Sequence, residues 1–396
     1  MKILHIFGTS CLLRQQTYLL PVTLLWYQYN GLSAADFVFI QGIFMLLGLL
    51  TEVPSGYIAD IFSKKHILLC SFSLFLLRCL LWLNCRGLFV ILLGETLVVL
   101  SRSLFQGIYD SYIYEYLKKN KQTSQMIRYY GMVNCYVNVG TGSASLLCSL
   151  IYPTFALQTL LILEFISTFL AIILMSFVPN IKNTNKRKSL KQHFADMVNA
   201  VSKTLGDSRI NYFIVLSAVF ASSTYIYIWN FQPIMKSTGV MVSLFGAVYF
   251  CNFFFRALAG YLSNKIAEKI TYKNLGIIVA FHIVTAFLGL TLSEYIKIPA
   301  VTLFFIFLIC LGIGAQLSFN ILTVSAIQKI AKSNIRATTS SAYNLVAQGV
   351  AGIMLSSFKF LADKLPFSTI YLLYLAIYAL VLGFLFLVWK LRKIKV

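Results

Sequence analysis

Apolar runs recur along almost the whole chain, separated by short polar or turn-forming segments. Each run is close to the roughly 20 residues that a helix needs to cross a bilayer. The pattern therefore predicts an all-α integral membrane protein with twelve transmembrane helices. The predicted spans are residues 3–27, 36–57, 67–84, 88–108, 128–151, 155–177, 212–234, 241–262, 275–294, 299–328, 337–361 and 367–389.

The composition narrows the class of protein further. The 396 residues are 59% hydrophobic and 11% charged, with a mean hydropathy of +0.80. An ordinary soluble domain carries about 45–50% apolar and about 25% charged residues. These values exclude a soluble globular chain, a disordered chain and a secreted disulfide scaffold.

The formal net charge is +21, and most of the Lys and Arg residues behind it lie in the predicted loops and terminal segments. Of the 33 Lys and Arg residues, 24 lie on the side of the predicted membrane that carries both termini, and only five lie in loops on the opposite side. Because short cytoplasmic loops are enriched in Lys and Arg, both termini are predicted to be cytoplasmic. The basic surplus thus indicates topology and contact with anionic membrane lipids, and it does not indicate nucleic-acid binding.

The longest connection divides the chain into two halves. We predict an N-terminal six-helix half at 1–177, a cytoplasmic linker at 178–211 and a C-terminal six-helix half at 212–396. Apolar residues from Leu190 to Leu205 recur at helical spacing in the linker, which favours an amphipathic helix lying on the membrane. A solvated linker with no such helix is the alternative.

The two halves also resemble each other. The stretch Glu52–Asp60 in the second span has a counterpart 204 residues later, Arg256–Asn264 in the eighth. Pro21 and Pro233 lie at similar places in the first and seventh spans. Two parallel six-helix repeats would be pseudo-symmetric, with a substrate pathway near the bilayer midplane.

The loop after the second span carries a recognisable motif. Residues 56–65, GYIADIFSKK, resemble the signature loop G-x-L-A-D-R-x-G-R-K of the major facilitator superfamily, with Ile61 and Ser63 departing from it. The resemblance implies secondary transport by alternating access and a monomeric protein. It also implies a cytoplasmic gate in which Asp60 accepts hydrogen bonds from the positive end of a neighbouring helix. The gate-loop residues are Gly56, Asp60, Lys64 and Lys65; the two lysines are alternatively only topology anchors.

A second motif lies in span four. Residues 102–107, RSLFQG, resemble the R-x-x-x-Q-G element of proton-linked facilitators, and residues 106–117 resemble the same region of bacterial exporters of drugs and metabolites. The resemblance implies export coupled to protons. Residues 140–142 of span five lack the proline of the antiporter motif, so uptake by symport remains open.

Ionisable residues within spans are costly and usually face a bundle interior or a wet cavity. Glu95, Arg102, Gln106 and Tyr109 share one face of span four. Because arginine stays protonated, a carboxylate must hold the transported proton while arginine tunes it. The alternative is a purely structural set of ion pairs, and Arg78, Glu164 and His282 are further ionisable residues in spans. The proton-coupling candidates are Glu95, Arg102, Glu52 and Asp110.

Span seven carries aromatic side chains with polar tips, among them Tyr225 and Trp229 on one face. Such side chains suit an amphipathic ligand. An aromatic belt at the membrane interface and helix-to-helix hydrogen bonding are the alternatives. The predicted substrate cavity comprises Arg14, Tyr18, Gln106, Asn134, Asn138, Tyr225, Trp229, Gln316 and Asn344.

The chain lacks the sequence motifs of hydrolases, zinc proteases and ATPases. Its eight cysteines show no metal-ligand spacing. We therefore predict no enzyme activity, no cofactor and no metal. The predicted function is proton-linked export of an amphipathic small molecule across a bacterial cytoplasmic membrane, with protons or another coupling ion as co-substrate. Symport uptake of a nutrient and a non-transporting membrane sensor or scaffold are the alternatives.

Overall fold

A computed structural model describes residues 2–122, 125–181, 208–269, 272–330 and 336–392. These residues are overwhelmingly helical, and no strand occurs among them. The helices are α1 (Lys2–Arg14), α2 (Thr23–Tyr29), α3 (Ala34–Ile61), α4 (Lys64–Asn84), α5 (Leu88–Lys119), α6 (Met126–Ile151), α7 (Leu157–Ser176), α8 (Ser208–Ser237), α9 (Phe245–Lys269), α10 (Tyr272–Ile296), α11 (Pro299–Ile330), α12 (Arg336–Ala362) and α13 (Phe367–Arg392).

Each of the twelve predicted spans coincides with helix, and the first is split between α1 and α2. Among the described residues, nine helices are long and apolar enough to cross a membrane, and two shorter apolar helices accompany them. Many large apolar side chains, such as Phe281, Leu380 and Phe384, remain exposed along these helices, which is expected where lipid is the solvent. The predicted amphipathic linker helix, Leu190 to Leu205, lies outside the described residues.

The chain forms two compact units, which we treat separately. Helices α3 and α9 each contribute their first part to one unit and their remainder to the other. Since α3 and α9 carry the two copies of the predicted repeat, this shared behaviour fits two pseudo-symmetric halves. The first unit consists of Met1–Ser33, Leu47–His193 and Val242–Phe253, and the second of Ala34–Leu46, Phe194–Met241 and Phe254–Val396.

The core of the second unit is held by neutral hydrogen bonds. Tyr371, Tyr374 and Tyr378 lie at helical spacing on α13 and are almost completely buried. The Tyr371 hydroxyl donates to Asn230 Oδ1 at 3.1 Å, and the Tyr378 hydroxyl lies 2.9 Å from Ser222 Oγ, so both reach α8. Hydroxyl and amide groups of this kind hold helices together in membranes at modest energy.

The first part of α3 packs on α12 within the second unit. Asp36 Oδ1 lies 2.6 Å from Lys359 Nζ, and both side chains of this ion pair are partly exposed. A Cβ atom on Gly42 would lie 2.4 Å from the Ser356 backbone nitrogen, so only glycine permits this approach.

Candidate functional site

The first predicted span is interrupted inside the first unit. Helix α1 ends at Arg14, and α2 begins only at Thr23. Pro21 lies in the intervening segment and lacks a backbone N–H to donate. A break in a helix at membrane depth is tolerated only where other groups satisfy the freed backbone atoms. The sequence predicts one span over residues 3–27, and within this span the structure places two α-helices, Lys2–Arg14 and Thr23–Tyr29, on either side of the break.

Glu164 of α7 supplies the missing partner. Its side chain is 1% exposed, and its Oε1 accepts a hydrogen bond from the Leu19 backbone N–H at 2.7 Å. Its Oε2 forms an ion pair with Arg78 of α4. One carboxylate therefore joins α7, α4 and the break.

Two arginines are buried beside this carboxylate. Arg78 lies with its guanidinium carbon 3.9 Å from the ring centre of Trp82. Arg14, 5% exposed, donates from Nη2 to Ser101 Oγ at 2.8 Å and lies 3.7 Å from the ring centre of Phe75. Aromatic faces attract a desolvated guanidinium by about 2 kcal/mol or more, and these rings therefore fix both positive charges in place.

Glu95 of α5 completes the cluster. This residue is 8% exposed, and its carboxylate accepts a hydrogen bond from the Tyr27 hydroxyl of α2 at 2.7 Å. We call Arg14, Arg78, Glu95 and Glu164 the charged core. Two guanidinium groups and two carboxylates balance in formal charge, as buried ionisable groups in a membrane must.

The remaining members of the predicted stripe on α5 are not buried with Glu95. Arg102 and Gln106 are exposed. Tyr109 donates to Asn134 Oδ1 of α6 at 3.1 Å, and Asn138 donates to the Asn134 carbonyl at 2.9 Å. Tyr18 is partly buried in the break itself.

Three of the predicted cavity residues of the second unit are buried or partly buried. Tyr225 and Trp229 of α8 are partly buried, and the Trp229 ring lies edge-on to Phe37 with 6.0 Å between ring centres. Gln316 of α11 is buried. His282 packs against the rings of Phe220 and Tyr227, in the manner of a core histidine.

Several predicted residues lie on described helices, but their side chains lie outside the described part of the structure. They remain predictions. They are Glu52, Gly56, Asp60, Asp110 and Asn344.

The two lysines of the gate loop have defined contacts. Lys64 is buried, forms an ion pair with Glu115 near the end of α5, and donates to the Ser111 carbonyl at 3.3 Å. Lys65 donates to the Ser176 carbonyl at the end of α7 at 2.5 Å. The start of α4 is thereby tied to α5 and to the end of α7, and the role of both lysines in a gate remains a prediction.

Sequence reasoning did not predict the pairs that dominate the site. Arg78 and Glu164 are recognisable as costly charges within spans, but they are 86 residues apart and no local pattern pairs them. The occurrence of both acids and arginines within apolar spans indicates that such charges pair, but it does not show which ones do. Within the described residues, no group of His, Cys, Asp and Glu side chains is arranged to hold a metal ion.

Comparisons with known proteins agree with this architecture. A search of curated proteins finds no match. Among solved structures, a mutant of the nucleoside transporter NupG superposes with a TM-score of 0.79 at 16% identity, covering 97% of this chain and 98% of that one. A POT family transporter in complex with 5-aminolevulinic acid superposes with a TM-score of 0.76 at 12% identity, covering 98% and 96%. At these identities the likeness shows the fold alone.

A bacterial homolog of the human lysosomal transporter Spinster, in an inward-facing and unoccupied conformation, superposes with a TM-score of 0.66 at 16% identity, covering 89% of this chain and 81% of that one. The sequence model described as Major Facilitator Superfamily matches residues 6–357. This match spans most of the chain, including both repeats and the charged core. The chain therefore belongs to the Major Facilitator Superfamily, whose members include membrane transporters of small molecules.

Proposed function

We propose that this protein exports an amphipathic small molecule from a bacterial cell in exchange for protons. The family and fold support a multi-pass secondary transporter rather than an enzyme. The single observation that carries the coupling is the charged core, because it holds two carboxylates inside an apolar bundle next to two permanently charged arginines. A buried carboxylate favours its neutral form, whereas a nearby arginine favours the charged form. A change in the distance between a carboxylate and an arginine of the charged core can therefore drive proton uptake and release.

Glu95 is the coupling carboxylate of this proposal. The Tyr27 hydroxyl that donates to it is neutral. At this hydrogen bond, protonation of Glu95 therefore does not separate two opposite charges. Arg102, seven residues further along α5, is exposed and can approach an anionic or polar group. One charge moved through 100 mV provides about 2.3 kcal/mol, which supports a substrate gradient of roughly fifty-fold.

The substrate class rests on the aromatic residues of α8. Tyr225 and Trp229 are partly buried and present rings with polar tips, which suit a ligand with apolar and polar parts. The resemblance of residues 106–117 to bacterial exporters favours efflux. Both termini and the 178–211 linker are proposed to be cytoplasmic from the charge distribution, and the protein is proposed to act as a monomer.

Uptake of a polar metabolite by proton symport is the second candidate. The exposed guanidinium of Arg102 favours it, because this group stays charged and forms strong paired hydrogen bonds with carboxylates and phosphates. The similar folds include a nucleoside transporter and a transporter with 5-aminolevulinic acid bound. Nucleosides and 5-aminolevulinic acid are therefore among the first compounds to test.

The test uses purified protein in liposomes that contain a pH-sensitive dye. Pools of metabolites and lipophilic drugs are screened for compound-dependent proton movement. We expect at least one pool to move protons with the wild type, and Glu95→Gln to reduce that movement by about tenfold or more, since an amide cannot carry the proton.

Glu294→Gln is the matched control. Glu294 lies near the end of α10 in the second unit and accepts a hydrogen bond from Ser237 Oγ at 2.5 Å, whereas the charged core belongs to the first unit. This variant is expected to move protons as the wild type does. The sign of the pH change separates antiport from symport. Wild-type transport of a compound without proton movement would contradict the coupling, and no transport of any pool would favour a sensor or scaffold.

A further inference from the structure

Three aromatic rings form a nearly parallel stack in the first unit. The rings of Phe105 and Tyr109 on α5 lie 5.1 Å apart between centres, with an interplanar angle of 6°. Tyr130 on α6 continues the stack, with its ring centre 6.4 Å from that of Tyr109 and an angle of 14°. Phe105 is buried, whereas Tyr130 is 38% exposed. The stack therefore begins in the core and ends on an accessible ring.

Polar side chains continue the same face on both helices. On α5, Arg102 and Gln106 lie seven and three residues before Tyr109, which places all three on one face. Both Arg102 and Gln106 are exposed. On α6, two asparagines follow the stacked tyrosine at helical spacing, and the first of them accepts the hydrogen bond from Tyr109 at 3.1 Å. We call the following set the α5–α6 face: Arg102, Gln106, Tyr109, Tyr130, Asn134 and Asn138.

The aromatic and charged groups lie at opposite ends of the α5–α6 face. The connection between Lys119 and Met126 is short, so α5 and α6 run in opposite directions. The stacked tyrosines lie at the end near this connection. Arg102 lies at the far end, seven residues and therefore about 10 Å from Tyr109 along the helix axis. The side chains between these two ends carry amides, which can bind a polar linking group.

The charge on Arg102 indicates what this face borders. An arginine within a span is costly against lipid and usually faces a bundle interior or water. Because Arg102 is exposed and the amides lie on the same face, the α5–α6 face is expected to border water. Among the described residues, no carboxylate pairs with Arg102. Its guanidinium is therefore available to an anionic ligand.

We propose that the α5–α6 face binds a planar aromatic carboxylate, with its ring stacked on Tyr130 and its carboxylate on Arg102. Offset-stacked rings attract each other beyond the effect of burying their area, and a guanidinium forms paired hydrogen bonds with a carboxylate. The single cation of this face matches one negative charge, whereas a phosphate monoester carries nearly two. This inference rests on the proposed function, because it names the class of molecule that the same transporter carries.

Equilibrium binding of a defined probe tests this proposal. The probe is tritiated 5-(2-naphthyl)pentanoate, whose chain separates ring and carboxylate, and the full-length protein is held in lipid nanodiscs with empty nanodiscs as the blank. Two analogues each lack one feature: 5-(2-naphthyl)pentanamide lacks the charge, and nonanoate lacks the ring. We expect the wild type to bind the probe about tenfold more tightly than the amide and about fivefold more tightly than nonanoate.

Substitutions at the two ends of the face separate the two preferences. Arg102→Gln is expected to remove the preference for the acid over the amide and to keep the preference for the ring. Tyr130→Leu is expected to do the reverse, and Tyr130→Phe to keep both. The controls are Arg86→Gln, in the exposed connection between α4 and α5, and Tyr295→Leu, 76% exposed at the end of α10. Both controls are expected to bind all three compounds as the wild type does.

Ratios between compounds distinguish binding from loss of structure. Equal affinity of the wild type for the probe and its two analogues would overturn the proposal. So would an Arg102→Gln variant that binds all three compounds more weakly by the same factor, because the residue would then act only through the fold. Proton movement in liposomes is a separate measurement. The expected preferences without any proton movement would retain this site and reject proton coupling.

Discussion

Replacing Glu164 by leucine is expected to lower the free energy of unfolding by about 3–5 kcal/mol, the range for removing one partner of a buried ion pair. The substitution leaves the Arg78 guanidinium buried without its carboxylate. The substitution also removes the hydrogen-bond acceptor of the Leu19 N–H. The Gln15 carbonyl, which would accept this bond in a continuous helix, accepts from Thr17 N instead. Thermal unfolding of the purified protein in detergent measures the effect as a lower melting temperature.

Two variants show whether burial is the cause. The double variant Arg78→Leu, Glu164→Leu removes both charges and is expected to recover part of the loss, because replacing a whole buried pair is often neutral. Asp36→Asn breaks the ion pair with Lys359, whose side chains are 21% and 40% exposed. It is expected to cost about 0–1 kcal/mol. Equal melting temperatures for Glu164→Leu and Asp36→Asn would mean that the buried Arg78–Glu164 pair contributes no more to stability than the partly exposed Asp36–Lys359 pair.

The transmembrane helices could be predicted because their signal is local. An apolar run of about 20 residues specifies a helix in lipid whatever surrounds it, since backbone groups have no other partner there. The break within the first span has no such local signal. It is supported by Glu164, a residue on α7 that lies 145 positions beyond Leu19.

The charged core could be predicted only in part. Helical periodicity placed Glu95, Arg102 and Gln106 on one face of α5, but periodicity does not show which neighbours cover that face. In the structure Glu95 is covered by Tyr27 of α2, whereas Arg102 and Gln106 are exposed. The partner of each buried charge is set by tertiary packing, and a single sequence does not contain that pairing.

A single sequence does not show close contacts between helix backbones either. Disrupting one such contact is the second change with a large expected effect. A Cβ atom on Gly246 of α9 would lie 2.0 Å from the Ser145 carbonyl oxygen and 2.5 Å from Ser149 Oγ, both on α6. Because the nearest obstacle is backbone, no rotamer change can relieve the clash. Gly246→Ala is therefore expected to push α9 away from α6 and to weaken the bond from Ala247 N to Ser149 Oγ, now 2.9 Å.

The expected loss is about 1–3 kcal/mol or more, the usual cost of overpacking, and it is measured as a lower melting temperature. Gly131→Ala on α6 is the matched control, since a Cβ atom there would meet nothing within 4 Å. Alanine is the better helix former by about 1 kcal/mol, so Gly131→Ala is expected to melt at the wild-type temperature or above. If both variants melt together, α9 does not approach α6 this closely. If only Gly246→Ala loses stability, the contact between the start of α9 and α6 requires a residue without a side chain.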